Sequence, residues 1–451
     1  LLKEVASLRN LLERKSEEEA KQKRVIKGLA KISQNKSEKQ PSAPASQEAV
    51  PGQPSEKKER AHTNNGAKRK QHLEVEVVEE NVDPEDPRFN KDLARLYKTR
   101  DVIRYELIPM RFIKKIYHVR TYTQNDEYFS GKAPDAPFLN SQYDGSFIAG
   151  MAQLRYMYAM PVERIVKLFN DNGFDMDKGT AHGLLRKTER LFENLYHVLG
   201  DAIKEDTYIA GDETYHRVLV DTKNKNGKGI KKAYVWVVTA VNTGLVYYFY
   251  HDGSRREDII LDYIKGYRGA FQSDGFSPYR KMAKWLLRLA CFQHVKRKFL
   301  DCGDDFDTKV IVRLANYIYH QDHKHIIGVD GWTERDHYKW RQQYALPVMR
   351  IIRKKLERMA ADKSLLPKTE KYDAVHYMLN EWDGLMNIFT RGDYHLDNNL
   401  VERLNRYISL SRRNSLFFGS HTGARRAAMF YSLACSCRLQ GVNFFKYISD
   451  I

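Results

Sequence analysis

The sequence predicts an α/β protein on two observations: short strand-like runs follow one another after residue 207, and helical periodicity flanks them. Alternating β-branched and aromatic residues predict strands at Tyr208–Asp212, Arg217–Asp221, Ala233–Ala240, Val246–Tyr250 and Ala270–Asp274. Arg256–Ile264 has the pattern of a helix, and Lys223–Gly229 that of a turn. Strands that first meander and then connect through a helix to another strand indicate a sheet covered by helices.

The bulk composition indicates a globular protein with a polyanionic partner. The chain has 451 residues, 42% hydrophobic and 30% charged, and this length predicts two or three domains. Its formal net charge is +18, a balance that favours nucleic acid as the partner. We find neither an apolar run long enough to span a bilayer nor a signal peptide, so we expect no membrane association.

Cysteine usage indicates a reducing compartment. The chain has four cysteines, and none precedes residue 291. Such a chain is not a disulfide scaffold, and reduced thiols are typical of a cytoplasmic protein. We expect Cys435 and Cys437, on a late helix, to pack in the core.

The first part of the chain divides into three predicted segments. Residues 1–32 form an N-terminal helix, in which Leu1, Val5, Leu8 and Leu12 make a short apolar seam. This seam fits either a coiled-coil dimer contact or packing on its own domain. Residues 33–71 are rich in Ser, Pro, Lys, Glu and Gln and predict a flexible linker. Residues 72–135 predict a small strand-containing module.

Residues 136–204 predict a helical DNA-binding region. Apolar residues recur on one face of Pro161–Asn172, Gly173 breaks the pattern, and Asp177 begins a second helix with Ala181, Leu184, Leu185 and Leu191 on its inner face. A helix, a short glycine-containing turn and a helix fit a helix-turn-helix and an ordinary helical hairpin equally well. The DNA-binding candidates on the second helix are Lys178, Arg186, Lys187 and Arg190.

The remaining chain predicts a catalytic core interrupted by helices. Residues 205–302 contain the predicted strands and form the first part of the core. Residues 303–390 predict a helical insertion, interrupted near Gly328–Gly331. Residues 391–451 return to the core with helices at about Asn399–Leu410 and Ala424–Leu439.

Three acidic residues are candidates for metal-dependent chemistry. Asp212 and Asp274 each end a predicted strand, and Glu402 lies early in a late helix. Carboxylates so placed can converge at a sheet edge, and their oxygens suit Mg²⁺ or Mn²⁺. Two such ions can activate a nucleophile and stabilise the leaving oxygen in phosphoryl transfer. Their separations along the chain do not select these three among 58 acidic residues.

A family resemblance selects them. DNNLVER, followed by SRRNSLFFGSHTGARRAAMFYSL and LQGVNFFKYI, resembles the C-terminal signature of the insertion-sequence-66 family of bacterial transposases. GDET, AYVWVV, SDGFSPY and ACFQHVKRKF occur in the matching order, so the resemblance covers about residues 145–451. It implies a ribonuclease-H-like catalytic domain of the DDE type, with Asp212, Asp274 and Glu402 as the triad and a helical insertion before Glu402. Strand alternation points the neighbouring Glu213 to the other face of the sheet.

The resemblance also implies supporting residues around the triad. Further DNA-binding candidates are Arg403, Arg406, Arg412 and Arg413 near Glu402, and Lys296, Arg297 and Lys298 in HVKRKF. A solvated basic helix face is the other reading of these positions. Possible auxiliary residues are His294, Cys291, Asn398 and Asn399, and for the two asparagines helix capping is favoured over DNA contact. Tyr279 and Arg255 are candidates to line the site.

Zinc is not expected as a cofactor. Many relatives carry a cysteine-rich zinc module before the catalytic domain, but residues 72–135 contain no cysteine. Cys291 and His294, spaced C-x-x-H, are half a zinc site at best. For His320, His323 and His325, a solvated loop is favoured over a metal cluster.

The resulting expectation is a DNA transposase that acts without a covalent protein–DNA intermediate. Metal-dependent hydrolysis at the element ends frees a 3′-hydroxyl, and strand transfer to target DNA follows.

 Because water and then a 3′-hydroxyl are the attacking groups, no Ser or Tyr nucleophile is expected. The cofactor expected is Mg²⁺ or Mn²⁺, with two ions.

The expected partners are DNA and further protein copies. The DNA partners are the terminal inverted repeats of the mobile element and the target DNA. Joining two ends in concert favours a homodimer or a larger assembly on DNA, and the resemblance adds small accessory proteins of the same element. We expect a cytoplasmic, nucleoid-associated bacterial protein. The alternatives are a catalytically inactive, transposase-derived DNA-binding protein and a nuclease of the same fold without strand transfer.

Overall fold

The computed structural model describes Asp92 and residues 110–124, 127–138, 141–220 and 229–450. From residue 110 onward these belong to one compact unit, Ile103–Ile451. The predicted N-terminal helix, the linker and the module up to residue 109 lie outside the described residues, as does the predicted turn through residue 228. Among the helices that the structure describes, none is long and apolar enough to cross a membrane.

The described part of the predicted small module contains a β-hairpin. Strand β1 (Thr121–Gln124) pairs antiparallel with β2 (Glu127–Ser130), and Thr121 lies opposite Ser130. These strands fall within the predicted strand-containing module of residues 72–135.

Three helices follow the hairpin: α1 (Gly145–Ala152), α2 (Val162–Asp171) and α3 (Lys178–Ala202). Gly173 adopts φ +83° after α2, and the Asp177 side chain caps α3 by accepting a hydrogen bond from the Thr180 N–H at 2.9 Å. The break and the cap are therefore confirmed. The inner-face prediction is wrong for Leu191, which is 46% exposed. Leu195 and Val198 are exposed as well, because the face of this part of α3 that packs on the core carries Phe192, Tyr196 and Leu199.

Five strands form the central mixed sheet: β3 (Tyr208–Leu219), β4 (Ile230–Ala240), β5 (Val246–Phe249), β6 (Ala270–Ser273) and β7 (Leu287–Ala290). The order across the sheet is β5-β4-β3-β6-β7. β4 is antiparallel to both β3 and β5, whereas β6 is parallel to both β3 and β7. The predicted α/β class is confirmed.

Two strand predictions need correction. Tyr208–Asp212 and Arg217–Asp221 are not separate strands, because β3 runs without a break and pairs with β4 as far as Leu219 opposite Ile230. Asp212 is therefore an interior residue of β3 and does not end it. Burial of His216 and Val218 continues the alternation that keeps the strand in the sheet. Strand β7 was not predicted, since LRLA is short and carries an arginine.

Helices cover both faces of the sheet and extend beyond its β7 edge. The helices after β5 are α4 (Glu257–Ile264), α5 (Ser277–Met282) and α6 (Phe292–Asp301). The predicted helical insertion contains α7 (Phe306–Asp322), α8 (Glu334–Ala361), α9 (Glu370–Asn380) and α10 (Trp382–Asn387). The chain closes with α11 (Asn399–Ser415), α12 (His421–Leu439) and α13 (Phe444–Ser449).

Strand alternation divides the core between the two faces. Ala210, Val235 and Val237 pack in one cluster with residues of α11 and α12. Ile209, Trp236 and Val238 pack in another with residues of α4 and α5. A third cluster joins the insertion helices to β7 and α6. Side chains of the sheet therefore meet α11 on one face and α5 on the other.

Helix α12 satisfies the free edge of the sheet. β5 is an edge strand, and its Val246 and Tyr248 N–H groups donate to the hydroxyls of Ser436 and Ser432 at 2.9 and 2.8 Å. Both serines are buried and lie one turn apart on α12, where Cys435 and Cys437 are also buried. The core position predicted for the two cysteines is confirmed, and the edge is closed to pairing by another chain.

We predict that Ser432→Ala lowers the free energy of unfolding by about 1–3 kcal/mol, because the buried Tyr248 N–H loses its acceptor. Denaturant unfolding followed by circular dichroism measures this loss. Ser409→Ala is the matched control, since the Ser409 hydroxyl bonds a carbonyl of its own helix at an exposed site. We expect the control to change stability by less than about 0.5 kcal/mol. Equal losses in the two variants would contradict the edge-closing role.

Candidate active site

The pairing of β3 with β6 brings Asp212 and Asp274 to neighbouring positions. The strands are parallel, with Tyr208 opposite Ala270 and Ala210 opposite Gln272. The same offset, continued along both strands, sets Asp212 level with Asp274, which directly follows β6. Neighbouring strands lie about 4.8 Å apart, and residues at the same level point to the same side. Asp274 is close enough to Asp212 for its charge to raise the pKa of Asp212, and its own carboxylate accepts a hydrogen bond from the Phe276 N–H at 3.0 Å.

Helix α11 is attached to β3 beside Asp212. The Asn398 side-chain amide donates to the Gly211 carbonyl at 3.0 Å, and the Asn405 amide donates to Asp212 Oδ2 at 2.7 Å. Glu402 lies between these asparagines, at helical spacings of four and three residues that place all three on one face of the helix. The face of α11 that carries Glu402 is therefore turned toward Asp212.

Burial and like charges raise the pKa of Asp212 well above the usual range of an aspartate. Burial is the largest cause, and the charges of Glu213 and Asp274 add to it. Hydrogen bonds from the Glu213 N–H and from Asn405 act in the opposite direction. A cation beside Asp212 would lower the free-energy cost of ionising this carboxyl group.

Glu213 lies on the face of β3 opposite to Asp212, as alternation predicts, and it has its own buried partners there. Its side chain is only 3% exposed, accepts a hydrogen bond from the Tyr279 hydroxyl at 2.7 Å and pairs with Arg255. Burial is the largest cause of its raised pKa, which the bonds from Tyr279 and Arg255 oppose. Tyr279 and Arg255, which were candidates to line the site, thus reach Glu213 directly.

A buried ion pair holds the turn that carries Asp274. Arg288 on β7 donates to the Asp274 carbonyl at 2.8 Å and pairs with Glu381, and both side chains are almost fully buried. Arg280 pairs with the same Glu381 carboxylate at 2.9 Å and also donates to the Gly275 carbonyl. Glu381 lies between α9 and α10, so the helical insertion determines the position of the Asp274 turn.

Close packing at Gly275 also holds the Asp274 turn in place. A Cβ atom at Gly275 would clash with the hydroxyl oxygen of Tyr377 on α9, so a larger residue cannot fit without movement. Sequence reasoning missed Glu381 and Tyr377, because residues so distant along the chain give no local signal. The glycine after Asp274 is the one visible trace of this packing.

Buried oxygen atoms on the inner face of α11 lack partners. Among the described residues, Asn398 Oδ1, Glu402 Oε1 and Asn405 Oδ1 are buried and accept no hydrogen bond. Unpaired buried oxygens cost free energy, and hard divalent cations bind oxygen ligands of this kind. Because Asn405 also binds Asp212, these oxygen atoms belong to the helix face that contacts one carboxylate of the candidate triad.

The expected capping role of the two asparagines is wrong. Asn398 stands at the N-cap of α11, but its side chain makes no cap hydrogen bond and contacts Gly211 instead. The Asp397 carboxylate accepts the bond from the Asn399 N–H at 3.1 Å. The Asn398 side chain therefore attaches α11 to the sheet and does not cap the helix.

His294 and Cys291 lie beside Glu402. His294 Nε2 is 3.7 Å from Glu402 Oε1, and the buried Cys291 Sγ accepts a hydrogen bond from the Asn398 N–H at 3.3 Å. Two histidines of the insertion make other contacts: His323 bonds the Tyr319 carbonyl, and His325 stacks on Trp332. His294 is therefore the histidine that the structure brings to the candidate triad.

Most of the DNA-binding candidates are exposed. The exposed ones are Lys178, Arg186, Lys187, Arg190, Arg297, Lys298, Arg403, Arg406 and Arg413. Lys296 is partly buried over the Tyr319 ring, with its ammonium 4.6 Å from the ring centre. Arg412 stacks on Tyr215 and donates to its carbonyl at 2.7 Å, so it also fastens α11 to β3.

Comparisons with known proteins identify the family. The family model for transposases of the IS66 family matches residues 140–426. Two uncharacterized proteins of Sinorhizobium fredii are similar to the chain. The protein y4jD is 25% identical over 66% of this chain and 60% of its own length, and y4qI is 23% identical over 83% and 72%. The chain thus spans less than two thirds of y4jD.

We predict that Glu381→Ala lowers the free energy of unfolding by about 3–5 kcal/mol, because the buried Arg288 loses its counter-ion. Denaturant unfolding measures the loss. Glu357→Ala is the matched control, since Glu357 forms an exposed pair with Arg353 worth less than about 1 kcal/mol. If Glu381→Ala is no less stable than the control, the buried pair does not hold the Asp274 turn.

Proposed function

The chain belongs to the IS66 family of transposases, and we propose that it is a DNA transposase that cuts the ends of a mobile element and joins them to target DNA. The proposed reaction has two displacements at phosphorus. Water first breaks a phosphodiester bond at the element end and frees a 3′-hydroxyl. That hydroxyl then attacks a phosphodiester of the target, forming one P–O bond as another breaks.

One observation supports the proposal: Asp212 is linked to the helix that carries Glu402, and the charge of Asp274 acts on it. Asn405 of α11 donates to Asp212, and the parallel pairing of β3 with β6 brings the turn of Asp274 near β3. Desolvation and mutual repulsion raise the pKa of Asp212, which is typical of groups arranged for function. Support for a ribonuclease-H-like core comes from the mixed sheet, in which a meander is followed by parallel strands.

Asp212, Asp274 and Glu402 would hold divalent metal in this proposal, with two ions as the working number. A metal ion bound there supplies Lewis-acid activation of the attacking group and charge for the leaving oxygen. The chain's own residues position the ligands. Asn405 orients Asp212, Asn398 fixes α11 against Gly211, and Arg288 holds the turn of Asp274.

His294 is proposed as an auxiliary residue. Its ring faces Glu402 and lies at the start of α6, which also carries the exposed Arg297 and Lys298. A histidine there can contact the scissile phosphate as a hydrogen-bond donor, while the arginine and lysine bind the flanking backbone. The hairpin and α1–α3 are proposed to bind the element ends, and joining two ends favours a dimer or larger assembly.

The second candidate is a DNA-binding protein that has lost catalysis. Exposed basic residues on α3, α6 and α11 would serve it equally well. The three carboxylates and the unpaired oxygens beside them favour the enzyme, since a protein that only binds DNA has no use for a polar cluster of this cost.

We predict that Asp212→Asn, Asp274→Asn and Glu402→Gln each retain binding of element-end DNA but cut and join it at less than about one hundredth of the parent rate. Labelled end DNA with Mg²⁺ or Mn²⁺ measures nicks and joined products separately. Glu257→Gln is the control, because Glu257 is an exposed partner of Lys281. Nicks without joined products would indicate a nuclease. Binding by all variants with cutting by none, parent included, would favour the DNA-binding protein.

We also predict that Arg403→Ala and Arg406→Ala each make binding of the end DNA less dependent on salt. Both residues are exposed on the helix that carries Glu402. Each lost phosphate contact reduces the slope of log affinity against log salt by about 1. The exposed Lys265 is the control position, and Lys265→Ala should leave the slope unchanged. Unchanged slopes in both arginine variants would remove α11 from the DNA interface.

A further inference from the structure

Cys291, His294 and Glu402 form a compact set of different ligands beside the candidate triad. One ligand atom from each lies within 4.8 Å of the other two. Cys291 directly follows β7 and is the N-cap of α6, and His294 is one turn further along this helix. Glu402 reaches them from the first turn of α11.

The fold supplies the ligand that the sequence motif lacks. Cys291 and His294 alone are half a zinc site, and zinc was therefore not expected. The attachment of α11 to β3 adds Glu402 as a third ligand, with Oε1 3.7 Å from His294 Nε2. Ligand atoms about 2.0–2.3 Å from a tetrahedral zinc ion lie about 3.3–3.8 Å from one another. A nitrogen and an oxygen ligand lie at the short end of this range, so the His294–Glu402 pair at 3.7 Å needs to close by only a few tenths of an ångström.

Unpaired atoms point to an absent ligand. Glu402 Oε1 and His294 Nδ1 are buried and have no hydrogen-bond partner among the described residues. Cys291 is 2% exposed, and its sulfur accepts the Asn398 N–H bond that commonly supports a metal-bound thiolate. A cation would satisfy the unpaired carboxylate oxygen at the point where all three ligands meet.

We propose that Cys291, His294 and Glu402 bind a thiophilic divalent cation of the Zn²⁺ class, at a site that shares Glu402 with the one proposed for Mg²⁺ or Mn²⁺. A thiolate and an imidazole select zinc-like ions, whereas Mg²⁺ prefers oxygen ligands alone. Binding displaces the thiol proton to solvent and leaves a fourth position open. Because Glu402 is shared, an occupied site withdraws this carboxylate from the proposed triad. Metal binding itself does not depend on the proposed reaction.

Titration with Co²⁺ as the probe tests this site in the full chain without DNA. The titration is run without Mg²⁺, because Mg²⁺ would compete with Co²⁺ for the shared Glu402. We expect one equivalent of Co²⁺ to give a thiolate-to-cobalt charge-transfer band in the near ultraviolet, and Zn²⁺ to remove the band. Cys291→Ser should abolish it, and His294→Ala and Glu402→Gln should each weaken Co²⁺ binding by at least about tenfold.

Cys302→Ser is the matched control, because Cys302 is a partly exposed free thiol and should leave the band unchanged. Cobalt bound by His320, His323 and His325 would give no thiolate band. The proposal is overturned if the parent gives no band, if the band survives in Cys291→Ser, or if it disappears in Cys302→Ser. Should Cys291→Ser fail to fold, unchanged Co²⁺ affinity in both folded variants of His294 and Glu402 overturns it as well.

Discussion

The arrangement of the site follows from one constraint: Asp212 is buried within electrostatic reach of the carboxylates of Glu213 and Asp274. The parallel register of β3 and β6 imposes this arrangement. Arginines neutralise the other buried carboxylates around the site. Arg255 pairs with Glu213, and Glu381 pairs with both Arg288 and Arg280. Asp212 receives only neutral donors, which leaves its charge for a bound cation.

The helical insertion has a structural part in this site. Glu381 of the insertion pairs with Arg288 and Arg280, and both arginines bond backbone carbonyls of the Asp274 turn. Tyr377 of the insertion packs on Gly275. Helix α11 is fastened to β3 by Asn398, Asn405 and Arg412. Segments far apart in the chain therefore meet at the carboxylates, and a change in the insertion can alter the site without touching it.

Local patterns in the sequence predicted helices and strands, but they did not predict most of the contacts between them. Alternation placed Asp212 and Glu213 on opposite faces of β3, and the periodicity of the insertion predicted its helices. The polar residues after Asp212 concealed the continuation of β3, because their pairing with β4 is not a local property. The separation of the two aspartates gave no signal by itself, yet it equals the register offset of β3 and β6. The Arg288–Glu381 pair and the asparagine contacts of α11 depend on tertiary packing and could not be predicted.

The most direct test of the central claim is a crystal structure of the full chain soaked with Mn²⁺, with the metal located by its anomalous scattering. If the carboxylates converge as described, Mn²⁺ lies between Asp212, Asp274 and Glu402, and Asp212→Asn crystals lose the signal. Manganese found elsewhere, or bound without Asp212 and Asp274, would contradict the assignment of these residues as the metal-binding triad.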